Sequence, residues 1–370
     1  MSFDTVVVVD WSGAGTPSPA RSSRDAIWFG IARETGTSVS YHRTRDAATA
    51  ALIELFEQER AEGRRVLAGV DFSLAYPRGF ARALTGSDDP LGLWPEIAAR
   101  IKDRPDNTNN RFEAAAGINR MFPGKGPFWG NGLARDIADL PRTKDDYANP
   151  FAELRPCEAT PGAQTSWKLA GVGSVGSQTL LGIARLQNLR DRFGTDLAVR
   201  PFETREAPIT LVELFPSLIA QTIADLSEAE EIRDRAQVRI LATALRALDP
   251  QTLEAMSREG DAIEGWILGL GHERALDASA RRVLSSELVP PRLRDDCFAM
   301  PQGVAWVPVD EAQARLRAAL VPVTATETLR VAMAGGRVLA DPVHARRSNP
   351  PAPNSAVDGY GFAHAATGAG

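Results

Sequence analysis

The chain begins with an unbroken apolar run. Thr5-Val6-Val7-Val8-Val9-Asp10, closed by Trp11-Ser12-Gly13, has four β-branched residues ended by a glycine turn, the pattern of a buried strand. Residues 26–32 read as a second strand and 37–43, by alternation, as a third. Over 47–62 the spacing changes to a helical one, with Ala48, Leu52, Leu55, Phe56 and Glu59 on one face. Residues 66–71 form a fourth apolar strand, which also ends in aspartate. Three strands, a helix and a further strand make an α/β order around a buried sheet.

The pattern breaks over 85–175. This stretch is rich in Gly, Pro, Asn and aromatic residues and reads as a large insertion of short helices and loops. Helical spacing returns over 177–193, and 209–215 reads as a fifth strand. A long helix is predicted to start at Ser227, where Ser227 and Glu230 fit a capping box. Prolines punctuate 288–291 and 301–308, a linker signal. Beyond them, helix starts are predicted at Asp310 (with Gln313) and Thr324 (with Glu327). Next come a glycine C-cap at 335–336, an apolar strand and a proline-stiffened approach to an Asp-Gly turn.

Composition narrows the function classes. The 370 residues carry a net charge of −5, so a bulk basic surface for nucleic acid is absent. No apolar run approaches the ~20 residues that span a bilayer. The N-terminus has neither the basic start nor the apolar stretch of a signal peptide. Cys157 and Cys297 form no C-x-x-C pair, which argues against a disulfide framework or a cysteine zinc site. These features together suggest a cytoplasmic protein.

The acids fall at telling places. Asp10 and Asp71 each end an apolar strand, and Glu213 interrupts another. Asp234 opens a stripe with Val238, Leu241, Leu245 and Leu248, so it lies on the inward face of its helix. Four acids near one sheet repel each other unless a cation neutralises them. Oxygen ligands favour Mg²⁺ or Mn²⁺, and two such ions are a common device for phosphodiester cleavage. Each acid alone also fits a strand-end cap or turn former.

The segments Val-Val-Asp-Trp-Ser-Gly at 8–13, Gly-Val-Asp-Phe-Ser-Leu-Ala-Tyr-Pro at 69–77, Val-Glu-Leu-Phe-Pro at 212–216 and Asp-Arg-Ala-Gln-Val-Arg at 234–239 resemble an uncharacterised family of ribonuclease H-like fold. Its members are predicted nucleases. The resemblance spans about residues 4–250 and implies a mixed sheet with flanking helices. It places Asp10, Asp71, Glu213 and Asp234 at the acidic catalytic and metal-binding positions. At the other end, Gly-Arg-Val-Leu-Ala at 336–340 and Pro-Pro-Ala-Pro-Asn-Ser-Ala-Val-Asp-Gly-Tyr at 350–360 resemble the start of the molybdopterin molybdotransferase family. That resemblance covers about 308–370. It implies Asp358 as the functional acid, with Asn354, Ser355, Gly359 and Tyr360 around the cofactor. The family continues well beyond such a motif, so the segment reads as truncated, and the chain as written is not expected to insert molybdate.

Other motifs are weaker. Residues 171–176 match G-x-G-x-x-G, but Trp167-Lys168-Leu169-Ala170 is a poor strand and Asp196 follows a helix end, against a dinucleotide site. A loop entering a helix still suits a phosphate. The aromatics of 122–132 suit either a lid, with Phe128 or Trp129 stacking on a ligand, or simple packing. His42, His272, His344 and His364 show no ligand spacing, and no G-x-S-x-G elbow is present.

The expected organisation is therefore a ribonuclease H-like domain over 1–300, a linker over 301–307 and a molybdotransferase N-terminal segment with some α+β structure over 308–370. The expected role is molybdenum-cofactor biosynthesis, with molybdopterin bound by the longer parent. The first domain is expected to be a Mg²⁺- or Mn²⁺-dependent phosphohydrolase whose partner is molybdopterin or a nucleotide-bearing small molecule. A metal-dependent nuclease and a non-catalytic scaffold are the alternatives. An actin-like ATPase would need a second glycine-rich phosphate loop after a strand, and the sequence has none.

Overall fold

The structure, a computed structural model, describes residues 2–145, 147–171, 173–285, 308–319 and 325–347. The chain divides into two units, Met1–Val289 and Pro290–Gly370.

The first unit is built on a six-stranded mixed sheet. Its strands are β1 (Thr5–Asp10), β2 (Ile27–Arg33), β3 (Gly36–His42), β4 (Val66–Val70), β5 (Leu197–Val199) and β6 (Ile209–Glu213), in the order β3-β2-β1-β4-β6-β5. The first three form an antiparallel meander, while β4 is parallel to β1, β6 to β4 and β5 to β6. The valine run of β1 is buried on both sides because helices cover both faces. Val7 and Val9 pack towards α1 (Arg45–Ala61) and α5 (Gly176–Phe193), while Val6 and Val8 pack towards α7 (Arg233–Arg246) and α9 (Glu273–Leu284).

Local signals set the helix ends. Thr44 caps α1 by accepting the Ala47 N–H, with Asp46 in the first turn and Arg60 in the last, as the helix dipole favours. The other face needs a glycine. A Cβ at Gly30 of β2 would lie 2.1 Å from the Val238 carbonyl oxygen, so the absence of a side chain is what lets α7 lie against the strand.

The segment between β4 and α5 carries α2 (Phe80–Thr85), α3 (Leu93–Arg100) and α4 (Arg111–Asn119). Its aromatics Phe80, Phe128 and Trp167 join the same core as the α1 face of the sheet. Asn119 fastens the glycine-rich loop: its Nδ2 donates to the carbonyls of Phe128 (2.8 Å) and Asp139 (2.7 Å), and its Oδ1 accepts the Phe128 N–H (2.9 Å). After β6 come α6 (Ala220–Leu226), α7, α8 (Pro250–Arg258) and α9.

Several expectations need correction. No helix starts at Ser227, which ends α6 with its hydroxyl donating to the Ile223 carbonyl; α7 begins at Arg233. The short strand β5 was not anticipated. In the second unit α10 (Val309–Ala319) forms where Asp310 suggested. Thr324 lies outside the described residues, and 325–330 contain no helix. The expected strand after Gly335-Gly336 is not formed, and Val338 and Leu339 are exposed.

Candidate functional site

Parallel pairing of β1 with β4 sets Val9 beside Val70, so the residues that follow them, Asp10 and Asp71, emerge side by side. The Asp71 N–H donates to the Val9 carbonyl at 3.2 Å, and the Trp11 N–H donates to Asp71 Oδ1 at 2.7 Å. The two carboxyl groups are close enough for each to shift the other's titration. Asp234, in the first turn of α7, accepts the Asp25 N–H on Oδ2 at 2.6 Å. Asp25 precedes β2, and β2 runs antiparallel to β1, so its start lies beside the end of β1. It has a φ of 59°, the left-handed region that a non-glycine residue seldom adopts.

These acids oppose one another's charge. Burial, then Asp71 and Asp234, hold the Asp10 carboxyl well above the ordinary aspartate range. Burial pushes Asp71 up to about 7 despite the Trp11 N–H. Burial and the Asp25 charge raise Asp234, against the Asp25 N–H and two arginines. At neutral pH the Asp10–Asp71 pair therefore retains a proton, as adjacent carboxyl groups do.

Asp71 opens onto a cleft of about 580 Å³. Its walls include Asp25, Ser73, Glu213, Gln178 and the loop residues Gly171, Gly173 and Ser174. This loop leads into α5, whose N-cap Val175 offers no side-chain hydrogen bond. The G-x-G-x-x-G stretch is thus a helix entry beside the acids; only an isolated bridge between Trp129 and Lys168 precedes it, and Asp196 pairs with Arg60. The loop after β1 is fixed from below by buried Arg45, whose Nη1 donates to the carbonyls of Ser12 (3.0 Å) and Ala14 (2.7 Å). Arg45 is itself held bidentately by Asp103.

The structure brings Asp10, Asp71 and Asp234 together and gives Glu213 a different partner. Glu213 is buried against Arg155, its two oxygens accepting from Nη2 at 2.5 Å and Nη1 at 2.9 Å. Among the described residues no three His, Cys, Asp or Glu side chains are placed to hold one metal ion. Two of the acids are engaged by backbone instead: Asp71 accepts the Trp11 N–H and Asp234 the Asp25 N–H.

The insertion does supply a cleft wall, but from Glu158, Ala163, Gln164, Gly171, Gly173, Ser174 and Val175 rather than from its aromatics. Phe128 is fully buried against Tyr76, Phe80 and Trp167, so it packs and cannot stack on a ligand. Trp129 packs against Tyr147 and two lysines. Sequence reasoning missed Asp25 and Arg155. Asp25 had a signal, an acid just before the apolar run of a strand antiparallel to β1. Arg155 had none. His42 bonds Ser40 and His272 bonds Glu259. Asp358, Asn354, Ser355, Gly359, Tyr360 and His364 lie outside the described residues.

Among the described residues no helix is long and apolar enough to cross a membrane. No curated protein and no solved structure matches the chain. Residues 307–370 match the family model of the MoeA N-terminal region (domain I and II), which relates this end of the chain to molybdenum-cofactor biosynthesis.

Proposed function

We propose that the first unit is a divalent-cation-dependent phosphohydrolase of ribonuclease H-like architecture, carried on a chain that serves molybdenum-cofactor biosynthesis. One observation carries the first part: carboxyl groups from β1, the end of β4 and α7 lie at the carboxyl edge of the sheet, where Asp71 and Asp234 both hold the Asp10 carboxyl above its ordinary range. An antiparallel meander continued by parallel strands supports the fold reading. The donor set is oxygen only, which suits Mg²⁺ or Mn²⁺.

Asp10, Asp71 and Asp234 would hold the ion, which when bound supplies positive charge against that of a phosphoryl group. Three changes in the protein itself prepare the site. The Asp10–Asp71 pair gives up its shared proton as the cation enters. Asp234 turns from the Asp25 N–H towards the pair. The glycine-loop entrance of α5, with the partial positive charge of a helix N-terminus, faces the cleft where phosphate oxygens would sit. The substrate class is a phosphodiester or pyrophosphate in a nucleotide-bearing small molecule. The net charge of −5 disfavours long nucleic acid, whose binding rests on cationic contacts.

For the second part, residues 307–370 would contribute Asp358, with Asn354, Ser355, Gly359 and Tyr360, to molybdopterin handling; this reading rests on the family match. Two measurements test the proposal. Calorimetric titration of the full chain with Mg²⁺ and Mn²⁺ should show binding that Asp10→Asn abolishes, together with cation-dependent hydrolysis of a chromogenic phosphodiester. Absence of cation binding would leave the scaffold reading. Molybdopterin binding should weaken at least tenfold in Asp358→Ala, and an unchanged affinity would refute the tail's assigned role.

A further inference from the structure

Glu213 shares the cleft wall with Asp71, and by position alone it would be the fourth carboxylate for a second cation. Its hydrogen bonds say otherwise. Oε1 accepts from Arg155 Nη2 at 2.5 Å, while Oε2 accepts from Arg155 Nη1 at 2.9 Å and from the Leu74 N–H at 3.0 Å. The guanidinium is fully enclosed, and the Glu213 side chain is 6% exposed.

Arg155 has no room to leave. Its Nε donates to Glu158 Oε1 (3.0 Å), its Nη1 to the Glu264 carbonyl (2.9 Å) and its Nη2 to Ser73 Oγ (3.0 Å). Glu158 in turn accepts the Arg155 backbone N–H (2.8 Å) and the hydroxyls of Ser73 (3.1 Å) and Ser166 (3.2 Å). An arginine does not lose its proton in a protein, so this positive charge is permanent.

We infer that Arg155 is a built-in cation on the Glu213 side of the cleft, so that the unit takes one divalent ion and not two. The inference rests on the proposed cation reading of Asp10, Asp71 and Asp234. Glu213 then acts as a positioning residue. Through the Leu74 N–H, and through Arg155 to Ser73, it holds the turn that follows Asp71. A second divalent ion at Glu213 would have to displace a charged guanidinium whose other donors are all engaged, and would meet its repulsion while doing so.

Mn²⁺ bound to the full chain tests this by stoichiometry and by electron paramagnetic resonance. At saturation we expect one Mn²⁺ per chain and a mononuclear six-line spectrum. Asp10→Asn should weaken binding at least tenfold, whereas Glu213→Gln, which keeps an acceptor for Arg155, should stay within threefold. Two ions per chain, or an exchange-coupled spectrum, would overturn the inference without a variant that must fold. So would a folded Glu213→Gln protein that loses Mn²⁺ as completely as Asp10→Asn. No Mn²⁺ binding by the wild type would instead remove the cation reading itself, and the one-ion inference with it.

Discussion

Asp71→Asn isolates the electrostatic strain at the floor of the cleft. Asparagine keeps the shape and an oxygen to accept the Trp11 N–H, but it has no charge. The folded carboxyl titrates at about 7, against an ordinary value of 3.8. Between those values the folded protein binds the extra proton, so the stability tied to this group is full below pH 3.8 and is lost as pH rises through 7. The gap is roughly 3 pH units, and at about 1.4 kcal/mol each it caps the loss near ~4 kcal/mol. Because Asp10 shares the proton, about 2 kcal/mol is expected to appear on replacing Asp71 alone. Urea denaturation of wild type and variant from pH 4 to 8.5 measures it. The two should coincide at pH 4, the variant should become progressively the more stable between pH 4 and 7, and the difference should level off above 7. Saturating Mg²⁺ at pH 8 should narrow the gap by stabilising only the wild type. A stability difference that does not change with pH would refute the reasoning.

Replacing Arg155 with Met should cost about 3–5 kcal/mol in urea unfolding, since it leaves Glu213 and Glu158 buried without their cation; a cost under ~1 kcal/mol would mean that the network adds little. Gly30→Ala should destabilise by about 1–3 kcal/mol, because its Cβ would meet the Val238 carbonyl. Gly117→Ala in α4, where the nearest group is the tip of the Arg120 side chain at 3.6 Å, should stabilise by about 0.5–1 kcal/mol, and matching shifts in melting temperature for both glycines would contradict this contrast. Burial pushes the Cys157 thiol up to about 12, so in a Cys297→Ser background a thiol reagent at pH 8 should label the protein only after denaturant is added.

Much of this was legible because it is local. Four consecutive valines form a strand wherever both faces are covered, and the spacing over 47–62 fitted α1 to within two residues at its start and one at its end. Acids at strand ends marked Asp10 and Asp71, since a charge that ends an apolar run must lie near the sheet edge. The stripe from Asp234 to Leu245 gave the inward face of α7, where Val238, Leu241 and Leu245 are buried. The N-terminal limit of that helix was misread because capping chemistry at Ser227 is satisfied as well by a helix ending there as by one beginning.

What the chain could not reveal by itself is who answers each charge. Glu213 looked equivalent to Asp10 and Asp71, yet its partner Arg155 lies 58 residues away in the insertion. Asp25 meets Asp234 across 209 residues, through a backbone N–H that has no sequence signature. Periodicity reports which side of an element faces the core, because that follows from residues a few positions apart. The pairing of one buried charge with another depends on which elements the sheet order sets side by side. Position along the chain thus identified the acids, and the fold decided that three of them confront each other while the fourth is held by an arginine.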